Sequence, residues 1–370
     1  MRTRTRVLHI IQNLNYGGME RLLGDIVRRV DSGTFESHVL VLQYLGRFAE
    51  GLSHVATLHV AAPMPRWSML WPASLADEIA RIGPDVVHTH SGVWYKASLA
   101  ARHARVPLLI HTEHGRQSPD PWQARLVDRL ASRRTDIVVA VSDTLAGQLA
   151  ASVVSRRCQI KVVHNGVDTE LFRPRPDAGT LRKELGLAPT VPIIGSVGRL
   201  ERIKGYDVMI EAFAKLRAFP GQSAAVLVLV GEGSERSRLE TQAMALGVSD
   251  GVYFLGWRDD IHDLHSAFTI FTLSSRSEGT SVSLLEAMSA GRCPVVTNVG
   301  GNARVLGEKL SHRLVPAERS DMLAAAWADA LTIRPRREAD ATAARARVNE
   351  SFGVDSMVHQ YEGLYGAALA

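Results

Sequence analysis

Short β-branched runs alternate with helical stretches along this chain, halt at a proline-containing break and then resume, and few architectures accept that order. Strands are expected at 7–11, 38–42, 86–89, 108–112, 137–141 and 160–164, with helices between them at 20–30, 75–82, 96–105 and 122–134. A strand–helix–strand rhythm sets helices against both faces of a parallel sheet, so the fold class is α/β. Leu171-Phe-Arg-Pro-Arg-Pro-Asp177 breaks the rhythm and reads as a linker. The rhythm restarts, with strands expected at 193–197, 226–230, 252–255, 270–273 and 294–297. The expected organisation is therefore two doubly wound domains, 1–172 and 173–350, followed by a C-terminal segment, 351–370. In that segment Met357, Tyr361, Leu364 and Tyr365 recur at helical spacing, and the helix is expected to pack back toward the first domain.

At 370 residues the chain can fill two cores, and 46% hydrophobic with 22% charged residues excludes a disordered chain. The longest apolar run, Ala224 to Val230, falls far short of the ~18 residues of a membrane span. Arg2, Arg4 and Arg6 lead straight into the first strand, so no signal peptide is expected. Cys158 and Cys293 follow no metal-ligand spacing and suit a reducing compartment, so a cytoplasmic location is expected. The formal charge of +5 favours anionic partners. No nucleic-acid motif is visible, which leaves nucleotides and acidic lipid headgroups.

The chemistry concentrates in two loops of the second half. In Ser274-Ser-Arg-Ser-Glu-Gly-Thr-Ser281, a polar turn containing Glu278 and Gly279 follows a strand, and Thr280 or Ser281 is placed to cap a helix ending at Gly291. The open N–H groups of such a helix start attract phosphate. Glu286 lies one to two turns into that helix, with seven residues between it and Glu278. Ionised carboxylates accept from vicinal hydroxyls, so one glutamate can hold a sugar and the other a ribose. The second loop, after 193–197, carries Arg199 and Lys204. Fixed cations there would stabilise charge that builds on a departing diphosphate.

Other loops after strands add weaker signals. Gly17 and Gly18 follow the first strand and allow a backbone to approach phosphate or an acceptor. His111, Glu113, His114 and Gly115 end another strand, and His114 is the one expected to meet a sugar. Read as a metal site, that cluster lacks a third ligand nearby. Gly231 and Gly233 form a turn on the phosphate or nucleoside side, and Arg258 lies in a segment that can line a base pocket. The basic, aromatic stretch Arg66-Trp-Ser-Met-Leu-Trp71 is a place where lipid headgroups can touch, though a packed surface loop is the plainer reading.

In combination these residues resemble a known family over nearly the whole chain: the retaining GT-B glycosyltransferases of group 1, also called family 4. The resemblance rests on Gly17-Gly-Met-Glu20, Val86-Val-His-Thr-His90, His114-Gly115, Val141-Ser-Asp143 and His164-Asn-Gly-Val-Asp168. It rests also on Val197-Gly-Arg199 with Lys204-Gly205, Gly231-Glu-Gly233, Glu278 with Glu286, and Gly300-Gly-Asn302. His114-Gly-Arg116 and Asn165-Gly-Val-Asp168 are most similar to members that build bacterial exopolysaccharide or other surface glycans. The resemblance implies two Rossmann-like domains facing across a cleft, with the acceptor on the N-terminal side and the nucleotide sugar on the C-terminal side. It implies that Arg199 and Lys204 bind the diphosphate, Glu278 the donor sugar, Glu286 the ribose and His114 the sugar. It implies retaining transfer to a glycan or lipid-linked hydroxyl with no metal or other cofactor; the enzyme is expected in the cytoplasm, where its basic charge leaves peripheral contact with the inner face of an anionic membrane open. Arg304 departs from the family's usual Glu after Gly-Gly-Asn-x.

Three rivals are weaker. A glycoside hydrolase uses paired carboxylates but leaves the cations unexplained. A nicotinamide enzyme would need a full glycine fingerprint, yet Arg236 stands where its third glycine belongs. A non-catalytic nucleotide-sugar-binding protein would bind the donor and transfer nothing.

Overall fold

A computed structural model describes residues 4–15, 17–64, 68, 71–116, 121–155 and 157–368. The chain divides into two compact units, Met1–Asn165 with Val354–Ala370, and Gly166–Gly353.

The first unit contains β1 (Thr5–Ile11), β2 (Phe35–Val41), β3 (Thr57–Val60), β4 (Val86–His90), β5 (Leu108–Glu113), β6 (Ile137–Ala140) and β7 (Gln159–Val162). They form one parallel sheet in the order β3-β2-β1-β4-β5-β6-β7. Alternate residues feed two cores. Val7, Val86, Ile110 and Val139 enter one, and Leu8, Ile10, Val87 and Leu109 enter the other. Helix Val354–Gly366 places Val354, Met357, Val358, Tyr361 and Tyr365 in the first of these cores.

Tyr365 OH also lies 2.8 Å from His88 Nδ1, with both residues fully buried. Tyr365→Phe removes that partner and leaves a buried ring nitrogen unsatisfied. It is expected to cost about 1–3 kcal/mol. Urea unfolding checks this, and an unchanged midpoint would count against a structural role for the bond.

The second unit contains β8 (Ile193–Val197), β9 (Val226–Val230), β10 (Val252–Gly256), β11 (Ile270–Leu273), β12 (Cys293–Thr297) and β13 (Leu314–Val315). Its sheet is also parallel, in the order β10-β9-β8-β11-β12-β13. Ile193 and Ile194, adjacent in β8, enter opposite cores. Both faces are thus covered, as a parallel sheet requires. The strand order reverses direction between β8 and β11, and in the first unit between β1 and β4.

Several sequence-based bounds shift. The expected division at 172/173 moves to 165/166. Val167 already bridges to Gly353, and Phe172 lies 3% exposed in a core of the second unit. Asp168 turns the chain there, its Oδ1 accepting from Glu170 N and Leu171 N at 3.0 and 2.8 Å. The strand expected at 160–164 is Gln159–Val162, and β3 and β13 were not foreseen. These are edge strands, two to four residues long, with little apolar signal. Helix Asp143–Ser152 was also not foreseen. Ser142 caps it, its hydroxyl accepting from Leu145 N at 3.2 Å.

Candidate functional site

β8 and β11 are neighbours on either side of the second sheet's reversal, so the loops leaving their C-terminal ends flank the crevice where open α/β sheets take ligands. The β8 loop carries Arg199 and Lys204, and the β11 loop carries Glu278 to Ser281. Hydrogen bonds join the two loops. Arg276 N donates to Ile203 O at 2.8 Å, and Ser274 Oγ donates to Gly205 O at 2.7 Å.

The join brings together two groups that the sequence reading gave separate roles. Lys204 Nζ donates to both oxygens of Glu278, at 2.7 and 2.9 Å, and Ser275 Oγ donates to Oε1 at 2.6 Å. The Glu278 side chain is 7% exposed, so the carboxylate leaves water into a charged, hydrogen-bonded seat. Arg199 is exposed and makes no ion pair among the described residues. An accessible cation thus stands in the same loop as a paired one.

Helix Val282–Ser289 begins beside this pair. Ser281 is its N-cap, with Oγ accepting from Leu284 N at 3.4 Å, and Gly279, Thr280 and Ser281 are all buried. Glu286 is 4% exposed, with Oε2 3.9 Å from Nε2 of the buried His265. Sequence reasoning missed His265, because an isolated histidine in helix Ile261–Ala267 gives no periodic signal.

The glycines of the site position backbone. Gly300, at φ +53, lies so close to Glu278 that an added Cβ would overlap the Glu278 carbonyl. Gly301 N donates to Gly279 O at 2.8 Å, which ties the two loops together. Gly231 and Gly233 approach the backbones of Gly198 and Leu200, so their first role is to let the β9 loop sit against the β8 loop. Arg258 is placed differently from the expectation of a base-pocket cation. Glu184 accepts from its Nη1 at 2.7 Å and Asp260 from its Nε and Nη2 at 2.8 and 2.6 Å, so its guanidinium ties a helix to a loop.

In the first unit, Gly17 caps helix Gly18–Arg29, whose first turn already holds an acid, Glu20. An added Cβ at Gly17 would meet the Glu20 carboxylate. The stretch 66–71 lies mostly outside the described residues, and of it Trp71 is exposed and packs on His103 with ring centroids 4.1 Å apart.

His114 is half-buried and joins a histidine cluster that sequence reasoning did not assemble. His114 Nε2 lies 3.1 Å from His90 Nδ1, and His90 Nε2 lies 3.4 Å from His9 Nδ1. His9 is paired in register with His88, and residues two apart on a strand share a face, which was the available signal. The ring nitrogens of His9, His88 and His90 are near enough to share a metal ion. Yet His88 has both nitrogens engaged, with Tyr365 OH at 2.8 Å and Thr112 Oγ1 at 2.7 Å. The cluster is a hydrogen-bonded network.

Burial pushes His114 down to about 4 and His9 to about 3, and holds His88 and His90 well below the ordinary range. A histidine in the unfolded chain titrates near 6.5. Between those values the unfolded chain takes up protons that the folded chain refuses, so stability falls as pH drops from about 6.5 toward 4. The unfolding midpoint is expected to be lower at pH 5 than at pH 7, and the loss should shrink in His114→Gln. A midpoint independent of pH across that range would contradict the assignment.

Two family models match the chain. The model for glycosyl transferases group 1 matches residues 177–347, and the model for Glycosyltransferase Family 4 matches residues 16–171. The putative glycosyltransferase EpsF of Bacillus subtilis is 27% identical over 356 residues, 90% of each chain. The D-inositol 3-phosphate glycosyltransferase of Corynebacterium urealyticum is 31% identical over 221 residues, 57% of this chain; the match spans 51% of that relative's length. A second such enzyme, from Corynebacterium jeikeium, is 30% identical over 67% of this chain and 63% of its own length. Among solved structures, Anabaena Alr3699/HepE in complex with UDP and glucose superimposes with a TM-score of 0.86 at 24% identity, over 98% of this chain and 100% of that one. WaaG, a glycosyltransferase involved in lipopolysaccharide biosynthesis, does so with a TM-score of 0.75 at 18% identity, over 97% and 99%.

Proposed function

Because this chain belongs to the group 1 glycosyltransferases and has the GT-B fold, we propose that it transfers a hexose, with retention, from a nucleotide diphosphate sugar to a hydroxyl of a glycan or lipid-linked acceptor. The observation that carries the reading is the union of the β8 and β11 loops at the strand-order reversal of the second sheet. Arg199 and Lys204 would hold the diphosphate and stabilise the charge it gains on leaving. The start of helix Val282–Ser289 would add its N–H groups. Glu278 would share Lys204 with the phosphate while accepting from sugar hydroxyls, and Glu286 would accept from the ribose. The chemistry would run without a metal, with the leaving phosphate taking the acceptor's proton. His114 keeps its role as a sugar ligand on the strength of the family resemblance. The expected setting is exopolysaccharide or other surface-glycan synthesis at the cytoplasmic face of the membrane. Among the described residues no helix is long and apolar enough to cross a membrane.

A panel of UDP-, GDP- and ADP-sugars read by thermal shift and calorimetry tests the reading. UDP-glucose heads the panel, since HepE was also solved in complex with UDP-glucose. One donor is expected to bind, and Glu286→Ala should weaken it about tenfold, as loss of a charge-assisted hydrogen bond does. Binding by none of the panel would overturn the proposal.

A further inference from the structure

His90 is fully buried at the end of β4, beside the reversal of strand order between β1 and β4, where open α/β sheets take ligands. Both of its ring nitrogens are engaged. Nδ1 lies 3.1 Å from His114 Nε2, and Nε2 lies 3.4 Å from His9 Nδ1. Three rings pack around it, with the centroids of His88, His114 and His9 at 4.3, 5.3 and 5.7 Å. Close packing of that kind holds a ring in one orientation.

His114 is held twice from this point of the chain. Its ring bonds to His90 through Nε2, and its backbone N donates to Ser91 Oγ, the next residue after His90, at 2.9 Å. Its Nδ1 makes no hydrogen bond among the described residues, and the residue is only half-buried. Nδ1 is therefore the ring atom left to meet a ligand.

The protons fix more than orientation. Burial holds His9, His90 and His114 below the ordinary histidine range, so near pH 7 all three are neutral. A neutral imidazole has one N–H and one lone pair, and each link between rings needs one of each. If His90 donates from Nδ1, its Nε2 must accept from His9, and His114 is left with its proton on Nδ1. If His90 donates from Nε2, both links reverse, and His114 Nδ1 is a lone pair. The two links therefore run in the same direction. A mixed arrangement sets two N–H groups or two lone pairs against each other out of water, which is costly. An isolated imidazole exchanges freely between its tautomers, whereas here all three rings must switch together.

We propose that His90 is a positioning residue of the donor site: it holds His114 by Nε2 in a single tautomer, with Nδ1 kept for a hydroxyl of the donor sugar. A group locked in one protonation pattern and one orientation offers the sugar a preorganised bond. The inference rests on the reading of His114 as a sugar ligand and adds the residues that act through it. His9 backs His90 from the far side and meets no ligand itself.

The test combines nitrogen NMR of isotope-labelled histidine in the full chain with calorimetry. The His114 signals are assigned by their loss in His114→Ala. In the ligand-free parent, the two ring nitrogens of His114 should give well-separated signals, one protonated and one bare. His90→Leu should average them. His9→Leu, which removes only the far link, should average them too, and it stands in if His90→Leu does not fold. Calorimetry compares UDP-glucose with UDP, or whichever panel donor binds with its own nucleoside diphosphate, since only the first of each pair carries a sugar. His114→Ala and His90→Leu should each weaken the sugar-bearing ligand about tenfold, the worth of one good hydrogen bond, and leave the nucleoside diphosphate unchanged. The double variant should lose no more than either, because both act through one bond. His90→Asn, whose amide falls near the place of Nδ1, should recover most of the affinity. Averaged signals in the parent, or separated signals retained in both leucine variants, overturn the proposal. So does a loss confined to His114→Ala, or an additive loss in the double variant. If neither His114→Ala nor His90→Leu changes binding of the sugar-bearing ligand, the sugar-ligand reading of His114 fails, and the NMR signals still decide whether His90 fixes its tautomer.

Discussion

Arg199→Ala is expected to lower turnover about 100- to 1,000-fold, the usual loss when one preorganised group that stabilises developing charge is removed. The variant should unfold at the same urea concentration as the parent. The second half of the expectation makes the first interpretable. Arg199 is exposed and makes no ion pair among the described residues, so nothing in the folded chain depends on its charge. Its proposed partner is the diphosphate alone. Lys204→Ala should cost at least as much turnover, but for two reasons at once. It removes a phosphate ligand, and it leaves the 7%-exposed Glu278 carboxylate with Ser275 as its remaining named donor. Stranding one partner of a mostly buried pair costs about 3–5 kcal/mol, so this variant should also unfold early. Lys204→Ala combined with Glu278→Gln separates the terms: stability should return and turnover should not. Steady-state kinetics with unfolding curves on the four proteins provide the check. Unchanged turnover in both single variants would refute the assignment of these cations to the leaving group.

Gly300→Ala is expected to destabilise the second unit by about 2–5 kcal/mol and to abolish donor binding. One part of the cost is conformational. At φ +53 an alanine pays about 1–2 kcal/mol for the left-handed region. The larger part is steric, because the new Cβ would overlap the carbonyl of Glu278. That neighbour is backbone, so it yields only by displacing the loop that carries Glu278 and Gly279, at a cost of about 1–3 kcal/mol. The loop is also joined to Lys204, so the displacement reaches the proposed phosphate ligands. Gly186→Ala is the control. Gly186 has a similar φ of +66 with open space around it, so it should show the conformational cost alone. If the two variants lose equal stability, the steric account of Gly300 fails. If Gly300→Ala binds donor normally, the loop is not part of the site.

The particular elements show what was legible. The bounds read for β8, β9 and β11 coincide with the structure, at Ile193–Val197, Val226–Val230 and Ile270–Leu273. Central strands of a parallel sheet are buried on both faces and so leave continuous apolar runs in the sequence. The Ser281 cap and the stop near Gly291, at φ +70, follow from local rules that need only a few neighbouring residues. The edge strands β3 and β13 escaped notice because they are too short and bury too little to leave a pattern. The pairing of Lys204 with Glu278 joins residues 74 positions apart, and that of Arg258 with Glu184 spans the same distance. The histidine network draws on β1, β4 and the start of the loop after β5.

Residue order alone therefore established the α/β class, the two sheets, the loops that carry charge and the helix that opens beside them. Burial on two faces and capping are short-range demands, and each leaves its mark within one element. Which loops become neighbours was decided only by folding. That depends on strand order, and the chain crosses from β9 and β10 back to β11 before Glu278 can meet Lys204. Sequence separation carries no record of such a crossing, because hydrophobic burial drives strands together without specifying which charged loops their ends bring into contact.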